Sequence, residues 1–340
     1  MELNKVVKKD IETFVKSFQY SSDFKNKTFL ITGSTGLIGS VLVRCLLALD
    51  VNISIIALVR NIKKAKNMFD SNSIVFIEQD MMLPLANIDY NVDYIIHCAN
   101  STSSKFYVEN PVENINTAYI GTNNLLSFCK NKSTVKGFVY LSSLETYGSI
   151  YDDEPVHEGR CGYIDSIDVR SSYSLGKRSV ECLCHSYYKE YNIPVKIARL
   201  TQTIGAGVSV EDNRVFAQFA KSIINNQDIV LHTKGESAKP YCYTIDAINA
   251  ILCLLINGQN GEAYNVANSD TYISIYDMAN FLVNKFCSDS KVVVELNENM
   301  GYAPATKLNL DTTKLTDLGW NPKYDLFDIY TNLIDYYKSL

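Results

Sequence analysis

The chain holds 340 residues, enough for one large α/β unit or for a nucleotide-binding domain with a smaller companion. Its 46% apolar and 20% charged residues place it in the ordinary globular class and exclude disordered, collagenous and coiled-coil architectures. Thirty-two basic against thirty-seven acidic side chains give a net charge of −5, which argues against a nucleic-acid partner, because phosphates need a basic surface.

Leu3, Val7, Ile11, Phe14 and Phe18 recur at helical spacing, so residues 1–26 are expected to form a helical extension that packs on the fold. Residues 1–27 mix Lys, Asp and Glu with apolar side chains and read as no secretory leader. No run reaches the roughly 18 consecutive apolar residues that a membrane span needs, so no membrane partner is expected. Nine cysteines are scattered, the one close pair is Cys182/Cys184, and neither a redox nor a zinc spacing results. They read as reduced, mostly buried thiols of a cytoplasmic protein. His97, His157, His185 and His232 are dispersed too, so they read as structural and no metal is expected.

After the extension, Thr28–Thr32 reads as a buried strand, followed by a glycine-rich turn and an apolar helix over 37–49. Short apolar runs then recur at 53–58, 74–77, 94–97, 137–141 and 195–200, with helix-like stretches between most of them. This alternation predicts an α/β fold of Rossmann type, a doubly wound parallel sheet with a smaller C-terminal substrate-binding cap. The expected division gives 27–200 to dinucleotide binding, with 241–267 returning to it. Segments 201–240 and 268–340, the latter read as helices plus a short strand at 291–296, form the cap.

The turn reads Thr32-Gly33-Ser34-Thr35-Gly36-Leu37-Ile38-Gly39, a GxxGxxG between a strand and a helix. Glycines there let the backbone approach a pyrophosphate, whose charge meets the helix N-terminus. Gly33, Thr35, Gly36, Leu37, Ile38 and Gly39 are therefore expected to hold a dinucleotide, NAD or NADP. The second strand ends at Arg60 with no acidic residue to take a ribose hydroxyl, which leans towards NADP. Asp80 and Met81, after the third strand, are expected to flank the adenine. Ala99 and the following 101–104 sit at the carboxyl edge of the sheet, where ligands bind, and Thr102 and Ser103 are expected either to line the sugar pocket or to cap the next turn.

Tyr173 and Lys177 stand four apart in a helical stretch, so they share one face, and an ammonium beside a phenol stabilises the phenolate. Ser143 ends a strand run and is expected to donate to the same substrate oxygen. The glycine turn, Gly121-Thr122 opening a helix, SSxxxYG at 142–148, YxxxK at 173–177 and LGWxP at 318–322 together resemble the extended short-chain dehydrogenase/reductase family from about Lys27 to Leu340. Within it, RSSYSLGKR (170–178), RLTQTIG (199–205), DNRVFAQF (212–219) and KPYCY (239–243) look most like UDP-glucuronate decarboxylase segments, among the nucleotide-sugar dehydratases and epimerases.

The resemblance implies hydride transfer from a sugar carbon to a tightly held nicotinamide, with Tyr173 as base, Lys177 tuning it and Ser143 on the developing ketone. It places Glu145 where a carboxylate handles a proton at the sugar C5, and Gln202, Arg214 and Lys239 beside a nucleoside diphosphate. It also implies a homodimer and products that feed polysaccharide biosynthesis. Departures are Leu144 where dehydratases carry an acid, Ala118 where many members have Asn, and Lys239 where Arg is usual. The expected function is therefore C4 oxidation of a nucleoside-diphosphate sugar followed by decarboxylation or epimerisation. An NADP-dependent 4-keto reductase and a non-catalytic dinucleotide sensor are the alternatives.

Overall fold

The computed structural model describes residues 3–85, 88–100, 104–297 and 305–340. Helix α1 (Lys5–Ser17) opens on an Asn4 cap, whose side chain accepts from the Val6 N–H at 2.9 Å. It buries Val6, Val7, Asp10 and Phe14, while Leu3 stays outside it and exposed.

The core then alternates: β1 (Thr28–Thr32), α2 (Leu37–Ala48), β2 (Ser54–Val59), α3 (Ile62–Met68), β3 (Ile74–Glu78), β4 (Tyr94–His97), α4 (Ser104–Glu109), α5 (Pro111–Lys130), β5 (Gly137–Ser143), α6 (Ser171–Tyr191) and β6 (Val195–Leu200). Later come β7 (Gln202–Ile204), α7 (Val215–Ile224), β8 (Ile229–Leu231), β9 (Ala238–Tyr243), α8 (Thr244–Asn257), β10 (Ala263–Val266), β11 (Asn268–Ser274), α9 (Ile275–Phe286), β12 (Val292–Val294), α10 (Thr313–Thr316) and α11 (Leu326–Lys338).

Seven strands form one parallel sheet in the order β10-β6-β5-β4-β1-β2-β3. Side chains alternate across it with period two. Phe29, Ile31, Ile55, Ala57 and Ile96 join α2, α8 and α11 on one face, and Leu30, Ile56, Leu58, Ile95 and Phe138 join α5 and α6 on the other. Both faces are thus covered by helices, which is why these strands read as continuous apolar runs. The doubly wound sheet matches the sequence expectation. Strand order reverses between β1 and β4, and the crevice at their carboxyl ends is the natural ligand position.

The later part differs more from expectation. Strands β7, β9 and β11 form a three-stranded sheet in the order β11-β9-β7, and β8 pairs with β12. The expected strand at 291–296 shortens to Val292–Val294. A further correction concerns Gly121-Thr122, which lies in the middle of α5 rather than at a helix start. A Cβ on Gly121 would stand 3.2 Å from Met81 Cβ, so the glycine lets α5 approach the loop after β3. Among the described residues no helix is long and apolar enough to cross a membrane.

Candidate active site

The glycine turn joins β1 to α2 at the strand-order reversal. Gly33 has φ +66°, and a Cβ there would lie 2.8 Å from the backbone of Cys98 and Ala99, so only glycine lets the loop touch the end of β4. Gly36 caps α2, while Leu37 and Ile38 start the helix and leave its first N–H groups turned to the loop. Thr35 is half-buried, and Ser34 Oγ is buried with no hydrogen-bond partner.

Beneath this loop a polar relay fixes its height. The Ala99 N–H donates to Thr32 Oγ1 at 3.1 Å, and Thr32 Oγ1 meets His97 Nδ1 at 2.6 Å. His97 Nε2 lies 3.1 Å from Thr122 Oγ1, whose own proton goes to the Ala118 carbonyl at 2.7 Å. Since Thr122 spends its proton there, Nε2 carries the imidazole hydrogen and Nδ1 accepts from Thr32. Burial lowers His97 to about 3, so the ring is neutral and acts as a strut.

Tyr173 and Lys177 lie one turn apart on the buried face of α6, packed against β5. Burial pushes the Tyr173 phenol up to about 12, opposed by hydrogen bonds with Ser143 and with Tyr107. Burial lowers Lys177 to about 8, opposed first by the Glu181 charge. Its Nζ donates to the Leu141 carbonyl at 2.6 Å and sits 4.7 Å from the Tyr140 ring centroid. Glu181 in turn is held by Arg199, with Nε at 3.0 and 3.1 Å and an NH2 at 2.7 Å, and by Ser142 Oγ.

Ser143 ends β5, and its Oγ accepts the Glu145 N–H at 3.2 Å, which starts a short helical turn over Leu144–Tyr147. That turn keeps Leu144 buried and the Glu145 carboxylate exposed, near enough for its charge to raise both Tyr173 and Tyr107. Arg214 caps α7 and acts on the same two phenols in the opposite sense, although its guanidinium is also held by Asp212 at 2.6 Å. Gln202 opens β7 with its Oε1 buried and unpartnered.

The structure therefore gathers Ser143, Glu145, Tyr173, Lys177 and Arg214 into one electrostatic neighbourhood. Lys239 is half-buried on β9, in the smaller sheet. Arg60 is exposed just past β2, and Asp80 is exposed past β3, accepting the Met82 N–H at 2.9 Å while Met81 is buried against Gly121. Thr102 and Ser103 lie outside the described residues. Sequence reasoning missed Tyr107, Glu181 and Arg199. Glu181 carried a signal, four residues beyond Lys177 on the same helix face, whereas Tyr107 carried none.

A model of the NAD dependent epimerase/dehydratase family matches residues 29–267. The chain belongs to that family. UDP-glucuronic acid decarboxylase 6 of Arabidopsis thaliana is 30% identical over 308 residues, covering 88% of this chain and 86% of that protein. UDP-glucuronic acid decarboxylase 1 of Xenopus tropicalis is 25% identical, over 94% of this chain and 74% of its own. Among solved structures, UDP-glucose 4-epimerase of Thermotoga maritima with UDP-glucose superposes with a TM-score of 0.77 at 22% identity, covering 92% and 98% of the two chains. RMD of Pseudomonas aeruginosa, complexed with NADPH, gives 0.73 at 20% identity, covering 92% and 100%. These two show the fold.

The chain is thus an NAD(P)-dependent enzyme of the epimerase/dehydratase family. The residues present fit the dinucleotide: a loop that Cβ atoms would fill, a helix N-terminus behind it, and the unpartnered Ser34 Oγ within it.

Proposed function

We propose that the enzyme oxidises C4 of a nucleoside-diphosphate sugar transiently and uses the resulting ketone to decarboxylate a uronic acid or to epimerise the ring. The observation that carries this reading is the exposed carboxylate of Glu145 on the turn that Ser143 begins, beside the Tyr173 and Lys177 pair. Simple carbonyl reduction needs no second proton-handling group. Similarity to UDP-glucuronic acid decarboxylases makes a uronic acid the first substrate to try.

NAD(P), when bound, would supply a nicotinamide able to accept and give back a hydride. Gly33, Thr35, Gly36, Leu37, Ile38 and Gly39 would hold its pyrophosphate, with Ala99, Asp80, Met81 and Arg60 along its length. Tyr173 Oη takes the C4 hydroxyl proton and gives it back on return, while Ser143 Oγ donates to the same oxygen as it becomes a carbonyl. Lys177 keeps positive charge beside the phenol, and Glu145 carries a proton to or from C5, which the 4-keto group acidifies. Gln202, Arg214 and Lys239 hold the nucleoside diphosphate. Arg60, exposed where an acid would refuse a 2′-phosphate, supports NADP and with it the reductase alternative.

The same reading assigns residues 27–200 and 241–267 to the cofactor, 201–240 and 268–340 to the substrate, and 1–26 to an extension. Val112, Ile115 and Tyr119 form an exposed row on α5, spaced at i, i+3 and i+7, and a second copy covers it to make a homodimer. A cytoplasmic location is supported by nine cysteines that are all free thiols.

The test is mass spectrometry of a nucleotide-sugar panel incubated in heavy water. Loss of carbon dioxide from a uronic acid supports a decarboxylase, and deuterium uptake at constant composition supports an epimerase. Full turnover by Glu145→Gln would end the C5 mechanism, and activity confined to NADPH plus a 4-keto sugar would make the enzyme a reductase.

A further inference from the structure

Tyr107 is brought to the site by a short helix, and two independent contacts hold it there. Its ring lies on the Tyr173 ring, with centroids 4.4 Å apart and planes inclined by 14°. Its backbone carbonyl accepts Ser172 Oγ at 3.2 Å, and Ser172 accepts from Asn114 Nδ2 at 3.3 Å. α4, α5 and α6 are thus tied together one residue from Tyr173. The stack sets the two phenols side by side, and burial raises both, Tyr107 the further, so Tyr107 keeps its proton when Tyr173 ionises.

We propose that Tyr107 is a positioning residue for Tyr173, fixing its ring by stacking and donating a hydrogen bond that shares the negative charge on its oxygen when it acts as a base. This rests on the assignment of Tyr173 as the base under the proposed function. In that mechanism Ser143, the other hydrogen-bond partner of Tyr173, turns to the substrate oxygen. Tyr107 is then the donor that stays. Lys177 acts from the other side, its Nζ 5.9 Å from the Tyr173 ring centroid and hydrogen-bonded to Leu141. Among the described residues, Glu145 and Arg214 also act on the phenol, Glu145 opposing ionisation and Arg214 favouring it. Loss of the Tyr107 hydroxyl leaves those two in place and removes one neutral donor.

The experiment labels tyrosine Cζ with ¹³C in the NAD⁺-loaded protein and assigns the Tyr173 signal by its absence from Tyr173→Phe. The signal is titrated from about pH 7 to about pH 12 in the parent, Tyr107→Phe and Ser172→Ala, the positive nicotinamide of the loaded protein being expected to draw the Tyr173 midpoint below its unloaded value of about 12. Tyr107→Phe is expected to move the midpoint upwards by about one pH unit, the size of a hydrogen bond to an ionised oxygen. Ser172→Ala, which loosens the backbone tie and keeps both phenols, is expected to move it less and in the same direction. A Tyr107→Phe curve that superimposes on the parent overturns the proposal. Failure of the base assignment is read separately, as sugar turnover that survives Tyr173→Phe.

Discussion

Burial lowers the Lys177 ammonium to about 8, and the carboxylate that limits the fall is Glu181, one turn further along α6. In the proposed mechanism Lys177 has to be protonated to keep charge beside Tyr173, so activity should be lost as pH rises through its pKa. Removing the Glu181 charge lowers that pKa further, and the alkaline limb of kcat/KM against pH is expected to move to lower pH in Glu181→Gln. Well above pH 8 the loss should be about tenfold for each unit of displacement. The substitution also leaves the half-buried Arg199 without its ion pair, a defect that costs about 3 kcal/mol or more when a charge is fully buried. The double variant Glu181→Gln/Arg199→Met separates the two effects: stability should recover while the alkaline limb stays below that of the parent. An unmoved limb in both variants would mean that Glu181 serves the fold alone.

Helix α1 shows how an element carries a charge it would be more stable without. Burial raises Asp10 from 3.8 to about 6, even though Tyr243 Oη donates to it at 2.7 Å. Between those two values the folded chain holds a proton that the unfolded chain has lost, so stability falls as pH rises through this window and stays lower above it. Asp10→Asn keeps an acceptor for Tyr243 and removes the buried charge. It should stabilise the protein by about 2 kcal/mol at neutral pH, with the gain vanishing near pH 4 in thermal melts across pH. Helix α5 gives a steric counterpart: Gly121→Leu drives a side chain into Met81 and should cost about 1–3 kcal/mol, seen as a lower denaturant midpoint. The contrast between these elements and the later strands explains what was legible. Apolar runs such as Phe29–Ile31 and the helical spacing of Tyr173 and Lys177 are local patterns, and they placed the sheet, the glycine turn and the buried Tyr173 and Lys177 pair. β9 carries Lys239 and Pro240, β11 begins Asn268-Ser-Asp-Thr, and β7 and β8 have three residues each, so their pairing depends on distant partners rather than on their own pattern. Tyr107 was illegible for the same reason, since its meaning comes only from the ring it lies against.

The chain leaves the seven-stranded sheet after β6, builds β7, α7, β8 and β9, and then returns through α8 to place β10 at the sheet edge before leaving again. α8 is buried almost throughout and packs on β5 and β6 as well as on β7 and β9. Its first turn also anchors the C-terminal region: Asp246 accepts the N–H groups of Lys323 and Tyr324 at 2.9 and 3.1 Å, and its carbonyl accepts Trp320 Nε1 at 3.0 Å. The Tyr243 and Tyr324 rings add a contact at 4.3 Å between the same segments. Neither sheet can therefore lose its packing without uncovering α8, and the apolar surface exposed would belong to both. Calorimetry should accordingly show one transition, with calorimetric and van't Hoff enthalpies in agreement. NAD⁺ or NADP⁺, and separately UDP, should each move that whole transition, by about 2.7 kcal/mol at a hundredfold excess over Kd. Two resolved transitions, with only one of them responding to the dinucleotide, would mean that the smaller sheet melts by itself and that α8 does not couple the two.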